Sequence, residues 1–168
     1  EKIDITNFRK LGRCIERFKP DVIIHLAGNT SHSKSFEEPL DDIDSNAKTT
    51  LFMLEKIREM KLQCRFILGS TFIVIGKPTK LPINEDTPCN PTTIYGVNRL
   101  ASENYCKIYH QVYGINTNVF RITNAYGPRA AMIPACMLSL RAARTLPQAP
   151  LRRALHLEGV GRPTCHPL

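Results

Sequence analysis

Tyr95 and Arg99 stand four residues apart at the start of a segment, Tyr95 to Tyr113, that reads as a helix ended by Gly114, so their side chains share one helical face. A cation beside a phenol favours the phenolate, and a phenol so placed takes a proton from a substrate hydroxyl. Thr71 follows an apolar run, Arg65-Phe66-Ile67-Leu68, after Gly69-Ser70; its hydroxyl is suited to hold the same substrate oxygen. Removing that proton is productive only if hydride leaves the same carbon, and no side chain accepts hydride. A nicotinamide cofactor is therefore implied.

The elements that must position these groups alternate. Asn7 caps a helix over about 8–18, with Leu11, Cys14, Ile15 and Phe18 at three- and four-residue spacing and Pro20 beyond its end. Asp21-Val22-Ile23-Ile24-His25-Leu26 reads as a strand followed by Ala27-Gly28, apolar enough to be covered on both faces. His25 reads there as a satisfied core histidine rather than a ligand. A single helix is expected over about 40–60, with Leu51, Leu54, Ile57 and Ile43 or Ala47 facing inward. The strand Arg65–Leu68 stops at Gly69-Ser70-Thr71, and residues 76–93, with Gly76, Pro78, Pro82, Pro88 and Pro91, form a surface loop. Thr117 to Ile122 completes another strand. Such alternation predicts an α/β fold with a parallel sheet and helices on both faces, in which ligands collect at the carboxyl ends of strands.

Composition bounds the alternatives. With 42% hydrophobic residues in 168, the chain buries a core rather than remaining disordered. Of the net charge of +8, residues 1–129 carry eighteen Lys/Arg against fourteen Asp/Glu, interspersed, while the short segment 130–168 carries five Arg against Glu158. No basic stripe interleaved with aromatics is present, so nucleic acid is not the expected partner. The six cysteines form no CxxC pair, so no metal or redox motif is indicated and reduced thiols are expected. The longest apolar stretch near the end, Met132–Leu140, contains Pro134 and falls short of a membrane span, which needs roughly 20 residues. A cytoplasmic location is the resulting expectation. Gly159-Val160-Gly161 lacks a third glycine and an evident preceding strand, and is not read as a dinucleotide fingerprint.

Taken in order, His25-Leu26-Ala27-Gly28, Ser70-Thr71 with Val74-Ile75-Gly76, Pro82-x-x-Glu85-Asp86-x-Pro88, Tyr95-Gly96-x-x-Arg99 with Glu103, and Arg121-x-x-Asn124-x-Tyr126-Gly127-Pro128 resemble successive landmarks of the extended short-chain dehydrogenases that modify nucleotide sugars, the NAD-dependent epimerase/dehydratase family. The likeness runs over about residues 3–129. It implies that Asp4 and Ile5 lie beside the adenine, and that Leu26, Ala27 and Gly28 line the pyrophosphate and ribose with Thr30 nearby. It also implies that Asn46 and Ser70 belong to the cofactor site, with Ile122 and Thr123 beside the nicotinamide. Thr71 becomes the catalytic hydroxyl and a substrate contact, Tyr95 the general base and acid, Arg99 a cation that also touches the cofactor ribose, and Asn124 a contact to the nucleotide sugar. Without the resemblance, Asn46 and Asn124 read equally well as helix-surface and turn residues.

The sequence departs from the family pattern in three ways. Arg99 stands where Lys is expected; a guanidinium keeps the charge but not the compact geometry of an ammonium. Phe72-Ile73 follow Thr71 where dehydratases of the family carry an acidic pair, which disfavours acid-assisted loss of water. The glycine-rich turn that cradles the pyrophosphate belongs ahead of Glu1, and a substrate-binding region belongs after Gly127-Pro128. The expectation is therefore a partial Rossmann-like doubly wound parallel sheet lacking its first strands and glycine-rich turn. Residues 1–129 form a partial NAD-binding domain, and 130–168 an atypical Arg/Pro-rich tail in place of the substrate domain. The implied reaction is NAD-dependent epimerisation of a nucleotide-diphosphate sugar through a transient keto intermediate, by a protein that is a homodimer at full length. A ketoreductase of the same superfamily and a non-catalytic binding module are the competing readings.

Overall fold

The computed structural model describes residues 3–123 and the backbone of residues 154–157. Helix α1, Phe8–Phe18, begins where the Asn7 side chain accepts from the Lys10 amide and ends at Lys19 in the left-handed conformation, with Pro20 preventing continuation. Strand β1, Val22–His25, follows directly. After a short helix α2, His32–Glu37, the helix expected over 40–60 is present from residue 39 to 59, but a π-turn over Asp44–Lys48 divides it into α3, Pro39–Ile43, and α4, Thr49–Glu59. The π-turn inserts residues into the helical repeat and so shifts its phase. Leu54, Ile57 and Ala47 face inward as predicted, but Ile43 is exposed, Leu51 only half-buried, and Met53 and Thr50 take inner positions.

Strand β2, Arg65–Thr71, runs three residues further than the sequence suggested, because strand β3, Asn116–Ile122, lies alongside and pairs with Gly69, Ser70 and Thr71. A 3-10 turn, Phe72–Ile75, follows β2, and the long connection to helix α5, Ile94–Tyr113, is loop as predicted, pinned by a bridge between Gly76 and Asn90. Thr93 caps α5 at its start and Gly114, at φ +68°, ends it. A fourth strand, β4, Ala154–Leu157, falls in the segment read as an atypical tail. It corrects one reading: a strand does precede Gly159-Val160-Gly161, although those glycines lie outside the described residues.

The sheet is parallel throughout, in the order β3-β2-β1-β4. One face packs Ile23, Phe66 and Leu68 against Leu11 and Ile15 of α1, Met53, Leu54 and Ile57 of α4, and Cys106 and Tyr109 of α5. This single apolar cluster joins three helices to strands β1 and β2, with its burial supplying the main stabilising term. Its consequence for function is positional: the carboxyl ends of β1 and β2, the π-turn and the first turns of α5 meet at one edge of the core.

Candidate functional site

The chain leaving β1 passes through Ala27, 1% exposed, into Gly28 at φ +146°, a conformation that L side chains rarely adopt. Space forbids a side chain as well. A β-carbon on Gly28 would lie 2.3 Å from Asn46 Oδ1 and 3.2 Å from Arg99 Nη2, so backbone, carboxamide and guanidinium crowd one point. The π-turn explains how Asn46 reaches it. Breaking the regular repeat turns Asn46 fully inward, where its Nδ2 donates to the Asn29 carbonyl at 3.2 Å, while the Asn46 carbonyl accepts from Thr50 Oγ1 and Ser102 Oγ. Its Oδ1 is buried without a partner.

From the first turns of α5, Tyr95 and Arg99 come together as their spacing requires, with the guanidinium carbon 5.6 Å from the centre of the Tyr95 ring, within cation–π range. Arg99 is 2% exposed, and its Nε and Nη1 have no partner. Its neighbour His25 is fully buried, with both ring nitrogens unpaired; burial first, and the Arg99 charge second, push its pKa down to about 3. His25 is thus neutral, and it differs from the satisfied core histidine of the sequence reading in having no hydrogen-bond partner. His32 of α2 approaches the Tyr95 ring edge-on, with centroids 5.5 Å apart.

At the neighbouring strand end, Ser70 and Thr71 point to opposite faces. Ser70 Oγ donates to Glu103 Oε1 at 2.5 Å, and Glu103 is gripped by Arg121 through Nε and Nη2. This network ties β2, β3 and α5 together just below the site. Thr71 is buried at 8% exposure and its Oγ1 accepts only from the Ile73 amide, at a long 3.3 Å, so the hydroxyl proton has no intramolecular acceptor among the described residues. Gly96, the residue after Tyr95, lets the start of α5 pack closely against the chain that follows this strand: a β-carbon there would meet Pro91 Cβ at 2.9 Å and Ile73 Cγ2 at 3.4 Å.

The other sequence-predicted residues are distributed around this centre. Leu26 is half-buried against Gly69, and Ile122 approaches the same glycine from β3. Ile5 joins the core, whereas Asp4, Thr30 and Thr123 are exposed. Asp4 accepts from Thr6 through its hydroxyl and amide, which lowers its pKa. Asn124 lies outside the described residues. Sequence reasoning did not find Asn29, Asp42 and Asn98, which meet in the structure; they come from three separate segments with no spacing pattern. Among the described residues there is no cluster of potential metal ligands, and no helix is long and apolar enough to cross a membrane.

The described residues leave five buried side-chain polar atoms unpaired, and all five belong to His25, Asn46 and Arg99. Buried polar groups are normally paired, and a buried guanidinium without a counter-charge costs several kcal/mol. A ligand with several hydroxyl oxygens, such as the ribose of a dinucleotide, would satisfy donors on Arg99 and the acceptor on Asn46, and the glycine backbone allows it to approach closely. The donor set fits such a group.

Residues 1–153 match the family described as NAD dependent epimerase/dehydratase. A putative UDP-glucose 4-epimerase of Methanocaldococcus jannaschii is 35% identical over 109 residues, which is 65% of this chain and 36% of that protein. The UDP-glucose 4-epimerase of Mycolicibacterium smegmatis is 33% identical over 128 residues, covering 76% of this chain and 41% of its own length. Among solved structures, UDP-glucose 4-epimerase from Brucella ovis in complex with NAD superposes with a TM-score of 0.69 at 28% identity, over 76% of this chain and 39% of that one. The chain thus spans about two fifths of the length of the curated relatives it matches.

Proposed function

Because the chain belongs to the NAD dependent epimerase/dehydratase family, we propose that it carries the cofactor-binding and proton-transfer part of an enzyme that epimerises a nucleotide-diphosphate sugar. The observation that carries the proposal is the unpaired buried set of Arg99, Asn46 and His25 around Gly28, which is costly in the isolated fold and complementary to a hydroxyl-rich ligand. Residues 1–129 are the cofactor-binding unit of this reading. Arg99 and Asn46 hold the ribose, Gly28 admits the backbone close to it, Ala27 and Leu26 line the wall, and Ile122 and Thr123 flank the nicotinamide. Asp4, Ile5, Thr30 and Ser70 complete the cofactor surroundings. NAD, when bound there, supplies the acceptor and donor of hydride.

Tyr95 takes the proton from the sugar hydroxyl and returns it, since its phenol is the titratable hydroxyl beside the guanidinium. Thr71 donates its free hydroxyl proton to the same oxygen and fixes its position, while Asn124 contacts the sugar nucleotide. Arg99 cannot pass a proton at neutral pH; its part is charge and ribose binding. Phe72 and Ile73 are half-buried in the 3-10 turn where an acid pair would be needed for loss of water, which supports epimerisation over dehydration.

Pairing of two copies is part of the same reading. Val97, Ile108 and Val112 are exposed on one stripe of α5, opposite its buried face, and a second copy of this helix is the partner that would cover it. A cytoplasmic location is the reading that goes with Cys64, Cys89 and Cys106 as reduced thiols. The experiment is to incubate the purified protein with NAD and a UDP-hexose and follow the sugar by NMR. Interconversion of epimers, lost in Tyr95→Phe, supports the proposal; net reduction with release of oxidised cofactor would replace it by a ketoreductase.

A further inference from the structure

Asp42 lies near the end of α3, 1% exposed, and no cation among the described residues is bonded to it. Its two oxygens are held instead by carboxamides from two other elements. Asn29 Nδ2 donates to Oδ2 at 2.7 Å, and Asn98 Nδ2 donates to Oδ1 at 2.7 Å. A carboxylate only accepts, so both partners must present their N–H groups. Asn29 is the residue after Gly28; Asn98 is the residue before Arg99, in the helix that also carries Tyr95.

We infer that Asp42 is a positioning residue that clamps the Gly28–Ser31 loop to the helix carrying Tyr95 and Arg99. Beyond its bond to Asp42, Asn29 shapes the loop itself: its Oδ1 accepts from the Ser31 amide at 3.1 Å, its Nδ2 also reaches the Ser31 carbonyl at 3.4 Å, and its own carbonyl accepts from Asn46 Nδ2. A loop of this kind, left to itself, samples many conformations. Through Asp42 its carboxamide is fixed, and the same carboxylate fixes the α5 turn from which Arg99 reaches the β-carbon position of Gly28. The clamp thus sets the distance between the backbone that faces the ligand and the guanidinium that binds it. Its role in cofactor binding rests on the function proposed above; the clamp itself does not.

Three substitutions separate the possibilities, read by hydrogen exchange and by NAD titration. Asp42→Leu leaves both carboxamides without their acceptor, so the Ser31 amide is expected to exchange about tenfold faster or more, the scale of one lost hydrogen bond. The Leu68 amide in the core of β2 serves as reference for overall stability and changes less. NAD affinity is expected to fall by about tenfold as well. Asp42→Asn retains one acceptor for Asn29 and turns its donor toward Asn98, whose carboxamide flips to receive it, so both readouts stay within about threefold of the unsubstituted protein. Should Asp42→Leu fail to fold, Asn98→Ala removes only the helix end of the clamp and is expected to act in the same direction.

Exchange at Ser31 and Leu68 that rises in parallel, or an Asp42→Asn protein as impaired as Asp42→Leu, overturns the clamp. Faster Ser31 exchange with unchanged NAD affinity overturns its part in cofactor positioning. If the unsubstituted protein takes up no NAD, the proposed function fails while the exchange result still decides the clamp.

Discussion

The carboxamide oxygen of Asn46 sits 2.3 Å from the place where a β-carbon on Gly28 would be. Two distant segments, a turn after β1 and a π-turn before α4, are thereby locked in a geometry only glycine permits. Gly28→Ala adds that carbon at φ +146°, so Asn46 must withdraw and the backbone must strain. A loss of about 2 kcal/mol in stability and a fall of about tenfold or more in NAD affinity are expected, read by urea denaturation and by titration. A variant that binds as well as the unsubstituted chain would show that this crowding has no bearing on the ligand.

Arg99 offers a test of opposite sign for stability and binding. Replacing a buried, unpaired charge with an apolar side chain of similar length removes a desolvation cost. Arg99→Met is therefore expected to raise the unfolding free energy by about 1–3 kcal/mol and to abolish NAD binding. Arg99→Lys keeps the charge and is expected to keep turnover within about tenfold. Turnover in neither Arg99 nor Lys form favours a non-catalytic binding module.

His25 makes stability depend on pH. Burial first, and the Arg99 charge second, hold its pKa down at about 3 in the fold against 6.5 in the unfolded chain, so below pH 6.5 the unfolded chain takes up a proton that the folded chain refuses. Stability is therefore intact above that pH and declines as pH falls from 6.5 toward 3, by roughly 2 kcal/mol at pH 5 from this residue alone. Comparing urea unfolding of the protein and of His25→Phe at pH 7.5 and pH 5 isolates the contribution; an equal pH dependence in both would refute it.

Glu103 holds Ser70 and Arg121 from beneath the site. Glu103→Ala strands a buried hydroxyl and a half-buried guanidinium, for an expected loss of about 2 kcal/mol, measured by thermal unfolding. Glu103→Gln, which still accepts from both, is expected to lose less.

The fold was legible wherever periodicity and punctuation agreed. Asn7 and Pro20 bracket α1, Gly114 stops α5, and the apolar runs before Ala27-Gly28 and Gly69 are strands of a parallel sheet. The spacing of Tyr95 and Arg99 already placed them on one face. What escaped was set by tertiary context. The π-turn has no sequence signature, yet it redirects Asn46 and exposes Ile43; β2 gained three residues because β3 lay beside it; and β4 arises in a proline-rich segment with no alternating pattern. His25 was read as core, which its burial bears out, but the lack of any partner for its ring depends on which groups the fold brings near. Asp42, Asn29 and Asn98 come from three segments, so no local pattern in the sequence announces their contact.

The most direct test of the account is to follow the near-ultraviolet absorbance of reduced nicotinamide when the NAD-bearing protein meets a UDP-hexose. A transient rise is expected that accompanies appearance of the epimeric sugar and disappears in Tyr95→Phe while NAD remains bound. Sugar interconversion that proceeds undiminished in Tyr95→Phe, or without any reduced cofactor in the unsubstituted protein, would contradict it.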